Sequence, residues 1–350
     1  MAYATIKDPS EYFQNISWTG NGGTQTVATT GNSDLDPDIV FTFSRTDASN
    51  NKCWFDTSRG NEKILVLQGD DIEATSTGFA FDFPSGGDGI DLDGDWSHIN
   101  YSGETYRGHL WKVNGGTTAS NTDGDVTSTV QVNTTAGISI VTWSATNTTA
   151  RNIGHGLGVK PDYIIIRNRT RAETTRNCFL TAKGPGGVAY NEEYPYNTTT
   201  TALCTGATTS TFGVGTDFSV NGPYNYCAFV KANVQGFSKY GRFKGNGNAD
   251  GKFVYTGFKP AMVIIKSIET GVSWMLMSSH GDPDNVVHTR QKINDTSDQA
   301  TNVDIMDFLS NGFKMRINDS SFNTNGHEYM YEAYAENPFV AGGVPTTARK

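Results

Sequence analysis

The densest set of potential ligands in this 350-residue sequence is acidic: Asp88-Gly89-Ile90-Asp91-Leu92-Asp93-Gly94-Asp95. Carboxylates at alternate positions, Asp91, Asp93 and Asp95, offer the oxygen donors that a hard cation such as calcium takes. The stretch departs from an EF-hand loop, because Gly94 falls at the fourth place and Ser102 stands where a bidentate Glu is needed. A solvated acidic turn is the simpler reading, with a calcium loop of another kind as the alternative. No other cofactor is expected.

A second cluster joins Tyr190, Tyr194 and Tyr196 to Glu192 and Glu193. Tyrosine presents a broad apolar face with a polar tip, so these rings could stack on sugars beside carboxylate and amide groups. Packing of the same tyrosines on a neighbouring unit is the structural alternative. Glu192 and Glu193 are also the best candidates for the paired carboxylates of glycoside hydrolysis, whose separation is a three-dimensional fact. The histidines, at 98, 109, 155, 280, 288 and 327, show no HxxxH or HExxH spacing. There is no Gly-x-Ser-x-Gly elbow and no cysteine in a catalytic context. Gly154-His155-Gly156-Leu157-Gly158 lacks the Lys-Ser/Thr of a phosphate loop and reads as a structural turn. The expectation is a non-enzymatic protein with no catalytic residues.

The elements that carry these loops repeat. Trp18 leads to Pro37-Asp38-Ile39-Val40-Phe41, Trp143 to Pro161-Asp162-Tyr163-Ile164-Ile165-Ile166, and Phe243 to Pro260-Ala261-Met262-Val263-Ile264-Ile265, with aromatic-to-Pro separations of 19, 18 and 17 residues. A second short strand follows each run: Cys53-Trp54-Phe55, Cys178-Phe179-Leu180 and Trp274-Met275-Leu276. Each unit closes on aromatics five residues apart, Tyr106 to Trp111, Tyr224 to Phe229 and Tyr329 to Tyr334. Short apolar runs bounded by Pro and turn residues are buried strands, and the Asn-Gly pairs at 21–22 and 246–247 suit tight hairpins. Helix is expected only as one or two turns, with Val303 to Leu309, capped by Asn302 and closed by Asn311-Gly312, as the candidate.

The fold class read from this pattern is all-β, as tandem antiparallel β-sandwiches of jelly-roll-like type. The division is an N-terminal attachment segment 1–14, a divergent first unit 15–115, a Gly/Thr/Asn-rich linker 116–136, a second unit 137–233, a third unit 234–339 and a C-terminal tail 340–350. The short connection between the second and third units predicts that those two pack the more rigidly. With 39 Gly and only 18% charged residues the chain is turn-rich, and a net charge of −9 without a basic cluster disfavours nucleic acid. No apolar run reaches the ~18 residues of a membrane span, and Lys7, Asp8, Pro9 and Glu11 stand where a secretory leader would be apolar, so neither membrane insertion nor a cleaved leader is expected. Cys53, Cys178, Cys204 and Cys227 read as buried free thiols, with a Cys204–Cys227 pair as the alternative. Cys53 and Cys178 hold matching places in successive units, which argues against a bridge between them.

Several motifs resemble the repeated β-domain of marine tailed-phage virion proteins, those of cyanophages and pelagiphages commonly described as tail-fibre-like or concanavalin-like. They are Gly137-Ile138-Ser139-Ile140-Val141, His155-Gly156-Leu157-Gly158 before Pro161-Asp162, Gly236-Phe237-Ser238-Lys239-Tyr240, Phe253 to Pro260, Asn311-Gly312-Phe313-Lys314 and Tyr334-Ala335-Glu336-Asn337-Pro338-Phe339. The resemblance covers most of the second and third units. It implies a virion surface protein, assembled in the bacterial cytoplasm, that attaches to a host-surface glycan or protein receptor. A capsid decoration or head-fibre role is the alternative, and a glycan-degrading tailspike-like enzyme the second. Other virion proteins and, by analogy with phage fibres, two further copies in a trimer are the implied partners. The divergent loops, with Tyr190, Tyr194 and Tyr196, would hold the receptor.

Overall fold

The apolar runs that follow each Pro become strands buried on both faces. A computed structural model of the protein describes residues 4–69, 71–84, 87–172, 177–198, 201–297, 299–301, 303–341 and 344–345. Every residue of Ile39–Ser44, Tyr163–Asn168 and Phe258–Ser267 is buried. A strand covered on both sides needs continuous rather than alternating apolar sequence.

The first unit contains β1 (Phe13–Thr19), β2 (Gln25–Val27), β3 (Ile39–Ser44), β4 (Cys53–Asp56), β5 (Lys63–Val66), β6 (Ala74–Thr75), β7 (Ala80–Asp82), β8 (Ile90–Asp93) and β9 (Thr105–Trp111). The second contains β10 (Ala119–Asn121), β11 (Ser128–Asn133), β12 (Ile138–Ser144), β13 (Arg151–Gly154), β14 (Tyr163–Asn168), β15 (Asn177–Leu180), β16 (Val188–Ala189), β17 (Cys204–Ala207), β18 (Thr211–Val214) and β19 (Asn225–Lys231). The third contains β20 (Ser238–Lys244), β21 (Phe253–Tyr255), β22 (Phe258–Ser267), β23 (Met275–Ser278), β24 (Gln291–Lys292), β25 (Met306–Leu309), β26 (Gly312–Met315) and β27 (Glu328–Pro338), before a terminal pair β28 (Val340–Ala341) and β29 (Val344–Pro345).

Each unit lays a large antiparallel sheet on a three-stranded one: β1-β9-β3-β4-β5-β6 on β2-β8-β7, β10-β11-β12-β19-β14-β15-β16 on β13-β18-β17, and β20-β27-β22-β23-β24 on β21-β26-β25. The first repeated strand pairs with the last and the second with the penultimate, so the all-β, jelly-roll-like sandwich is the architecture of all three. Trp18, Trp143 and Phe243 stack on Tyr106, Tyr226 and Tyr329 at 5.6, 5.2 and 5.2 Å between centroids. These tyrosines donate to the carbonyls of Ser97, Phe218 and Ser320 at 2.7, 2.9 and 2.9 Å. Three residues after each acceptor a buried asparagine, Asn100, Asn221 or Asn323, ties the same loop to neighbouring carbonyls.

Each sandwich has a private core, but the other face of every large sheet turns to a fourth, shared core. Ile39, Phe41 and Phe43 of β3, Tyr163 and Ile165 of β14, and Met262 and Ile264 of β22 all point into it, while Val40, Ile164 and Val263 point into private cores. The register makes Trp111, Lys231 and Tyr334 equivalent, opposite Ile39, Tyr163 and Met262. These three equivalents touch: Lys231 Nζ lies 5.1 Å from the Trp111 ring and 5.6 Å from the Tyr334 ring, and the two rings are 5.6 Å apart. The chain is therefore a closed pseudo-threefold ring around these side chains.

Several expectations are corrected. Segment 116–136 is not only a linker: β10 and β11 within it extend the second unit's sheet, because Ser128-Thr129-Val130 alternates with period two and Val130 enters that unit's core. The first unit, reached through this segment, packs on both of its neighbours. Within 1–14, described from Ala4, Ile6 and Phe13 are buried in the shared core, so this part is built into the ring. Val303 to Leu309 gives a strand, β25, since Met306 and Phe308 line the third core and Asn311 belongs to the hairpin into β26; Asn302 lies outside the described residues. Among the described residues the helical turns are both 3-10, Pro9–Glu11 and Thr181–Lys183.

Two repeat alignments also shift. Tyr226 rather than Tyr224 matches Tyr106 and Tyr329. Trp54, not Cys53, matches Cys178, since Phe41 pairs with Trp54 and Ile165 with Cys178. One residue of offset reverses the face of a strand, so Cys53 lies in the first private core and Cys178 in the shared one. All four cysteines are free and buried. Cys204 and Cys227 sit in different cores, and burial pushes the Cys204 thiol up to about 11.

Candidate functional site

The acidic stretch is a strand. In β8, Ile90 and Leu92 point into the first private core, which turns Asp91 and Asp93 outward. The alternate spacing that suggests metal ligands is this two-residue strand period. Asp91 and Asp93 accept hydrogen bonds at 2.5 and 2.6 Å from Thr26 of β2 and from Thr24 just before it. Asp95 follows the strand and is exposed. Among the described residues no three His, Cys, Asp or Glu side chains converge as a metal site.

The tyrosine loop divides. Tyr190 is fully buried, its ring centroid 4.7 Å from that of Trp274, and Tyr196 is nearly so, its hydroxyl donating to Gly184 O at 3.2 Å. The loop docks on the third unit: Trp274 Nε1 donates to Ala189 O at 2.8 Å, Ser273 Oγ to Glu193 Oε1 at 2.5 Å, and Lys266 Nζ to Glu193 O at 3.2 Å. Burial draws the Lys266 ammonium down to about 8. Tyr194 alone of the three is open, at 64% exposure. It borders a groove of about 390 Å³ with Gly187, Ala189, Pro195, Asn197 and Leu203.

A larger cleft, about 560 Å³, opens between the first and third units, with Gln14, Asn15, Lys259, His280, Glu336 and Asn337 in its lining. Its charges are matched by Lys259 and Glu336 at 2.7 Å, and its other polar side chains are amides, hydroxyls and the His280 imidazole. His280 Nε2 is 2.8 Å from Ser17 Oγ. Behind it Asn15 donates to Ala261 O at 3.1 Å, which orients its Oδ1 to accept from Nδ1 of the buried His109 at 2.6 Å. Burial, with Arg107 and His280 nearby, holds His109 neutral, well below the usual histidine range.

On the ring axis, Lys231 and Glu332 form an ion pair of 2.5 Å with both side chains at most 2% exposed. Tyr163, Tyr190, Tyr240 and Tyr334 surround it, and burial, reinforced by the Glu332 charge, raises all four hydroxyls. Aromatic faces toward the ammonium supply cation–π attraction of about 2 kcal/mol or more once desolvated. Sequence reading missed this pair. The available signal is a lone carboxylate inside the aromatic run Tyr329-Met330-Tyr331-Glu332-Ala333-Tyr334.

No curated protein and no solved structure shows significant similarity to the chain. One family model, described as a domain of unknown function (DUF7483), matches residues 8–338 and so takes in all three sandwiches and their shared core. The chain belongs to this DUF7483 family.

Proposed function

We propose that the protein is a non-enzymatic virion surface protein, tail-fibre-like, whose ring of sandwiches presents loops to a host-surface glycan. The resemblance to marine phage virion domains supports the setting. The observation that carries the glycan reading is Tyr194: a 64% exposed ring beside a groove, on a loop pinned at both ends by buried Tyr190 and Tyr196. An exposed aromatic on a held loop stacks on a sugar face with little ordering cost. Asn197 in the same groove supplies amide hydrogen bonds to sugar hydroxyls. Tyr190 and Tyr196 act in this reading as supports, not as contacts. The partners are other virion proteins, a host glycan or receptor, and further copies of the chain in a trimer.

Purified protein should block phage adsorption to host cells, and Tyr194→Ala should lose most of that block while melting within ~1 °C of wild type, as exposed substitutions usually do. An unimpaired Tyr194→Ala protein would remove this groove from the reading. Immuno-gold label over the head shell, with no block at saturating protein, would replace attachment by capsid decoration.

A further inference from the structure

The three seams of the ring are built alike, and one lacks a charge. Arg45, Arg169 and Ile268 follow equivalent strands and donate their N–H groups to the equivalent carbonyls of Thr105, Asn225 and Glu328 at 2.8, 2.8 and 3.1 Å. The carbonyls of Arg169, Ile268 and Arg45 accept in turn from Glu73 N, Tyr196 N and Gln299 N of the neighbouring unit, at 2.8, 3.0 and 3.4 Å. Glu73 and Gln299 are thus counterparts. In the seam between units one and two, Glu73 accepts from Arg169 Nε and Nη2, both at 2.8 Å, and from the buried Arg59 at 3.0 Å. In the seam between units three and one, Arg45 Nε meets, among the described residues, only the neutral Oε1 of Gln299, at 3.1 Å.

Arg107 deepens the deficit. It is 4% exposed, its Nε has no hydrogen-bond partner among the described residues, and its guanidinium donates to Ser278 Oγ at 3.3 Å. Among the described residues no carboxylate pairs with Arg107 or Arg45. The nearby Asp282 is engaged by His288 N and Thr289 N, at 3.1 and 2.7 Å. Gly281 makes room for the guanidinium itself: a Cβ there would lie 2.9 Å from Arg107 Nη1. Burial and the charge of Arg45 draw the guanidinium down to about 10. A buried cation without a paired counter-ion is unfavourable, and the large cleft brings solvent to His280 beside it.

We propose that the seam between the third and first units is an anion seat, in which a small anion, a halide or a simple carboxylate, neutralises Arg107 and Arg45 where Glu73 neutralises Arg59 and Arg169 in the first seam. The seat is separate from the Tyr194 groove and independent of the attachment reading.

The test is thermal melting of the full chain in sodium chloride, bromide or formate against sodium gluconate of equal ionic strength, an anion too bulky to enter. Wild type should rise saturably, by about 3–4 °C at a hundredfold excess over Kd, in the small anions only. Gln299→Glu, which adds the missing carboxylate, should melt higher in gluconate and lose the chloride response. A bromide crystal should show an anomalous peak at the Arg107 guanidinium. A melting temperature that follows ionic strength whatever the anion, or bromide peaks only elsewhere, overturns the proposal. So does a wild type whose melting temperature is the same in all of these salts.

Discussion

Arg169 and Arg45 follow equivalent strands, β14 and β3, yet one is gripped by both oxygens of Glu73 and the other by a single amide oxygen of Gln299. The same backbone scaffold thus holds a charge-compensated seam and an uncompensated one. The difference teaches that the ring closes on apolar packing and main-chain hydrogen bonds, which all seams share, while charge pairing is free to vary. The axial Lys231–Glu332 pair marks the compensated extreme, desolvated and enclosed by aromatics.

The largest effect is expected at that extreme. Glu332→Gln leaves Lys231 buried without a counter-charge and should cost about 3–5 kcal/mol, read by urea denaturation. A Lys231→Met/Glu332→Leu double variant should recover most of it, since an apolar pair of similar volume is often neutral or better. The next effect makes the first seam resemble the third: Glu73→Gln should cost about 1–3 kcal/mol, less than Glu332→Gln because Glu73 is partly solvated. If Glu73→Gln proves neutral, the contrast between the seams is structural only.

A smaller effect separates the seams by pH. His109 and His280 are held neutral by burial, with Arg107 beside both, His280 beside His109 and Arg45 beside His280. A histidine whose folded pKa is depressed takes up protons on unfolding, so its contribution is full above pH ~6.5 and is lost as pH falls. Glu73 behaves in a lower window: burial opposes its ionisation, but Arg169 and Arg59 hold its carboxyl below the usual value. Its contribution persists to about pH 4.5 and is lost only below that. Hydrogen exchange should therefore show amides around Ser278 to Asp282 opening as pH falls below ~6.5, while those around Glu73 and Arg169 stay protected down to about pH 4.5. Simultaneous opening would erase the distinction.

The private half of this design is legible in the sequence: the strand runs after each Pro and the aromatic pairs such as Trp18 with Tyr106 follow from local pattern. The shared half is not. The axial equivalents are Trp111, Lys231 and Tyr334: the aromatic repeat aligns the first and the last but puts Phe229 in the middle place, because Lys231 is chemically unlike them and shares only the position on the axis. Tyr190 and Tyr196, flanked by Asn191, Glu192 and Glu193, look like surface residues because what buries them is another unit some eighty residues on, at Trp274. The carboxylates of β8 show the converse, a ligand-like spacing produced by strand alternation alone.

The claim that three sandwiches form one body around a shared core is tested most directly by differential scanning calorimetry of the full chain at neutral pH in chloride. A single transition whose calorimetric and van't Hoff enthalpies agree is the expected result. Separate transitions, with any one sandwich melting while the others persist, would contradict it.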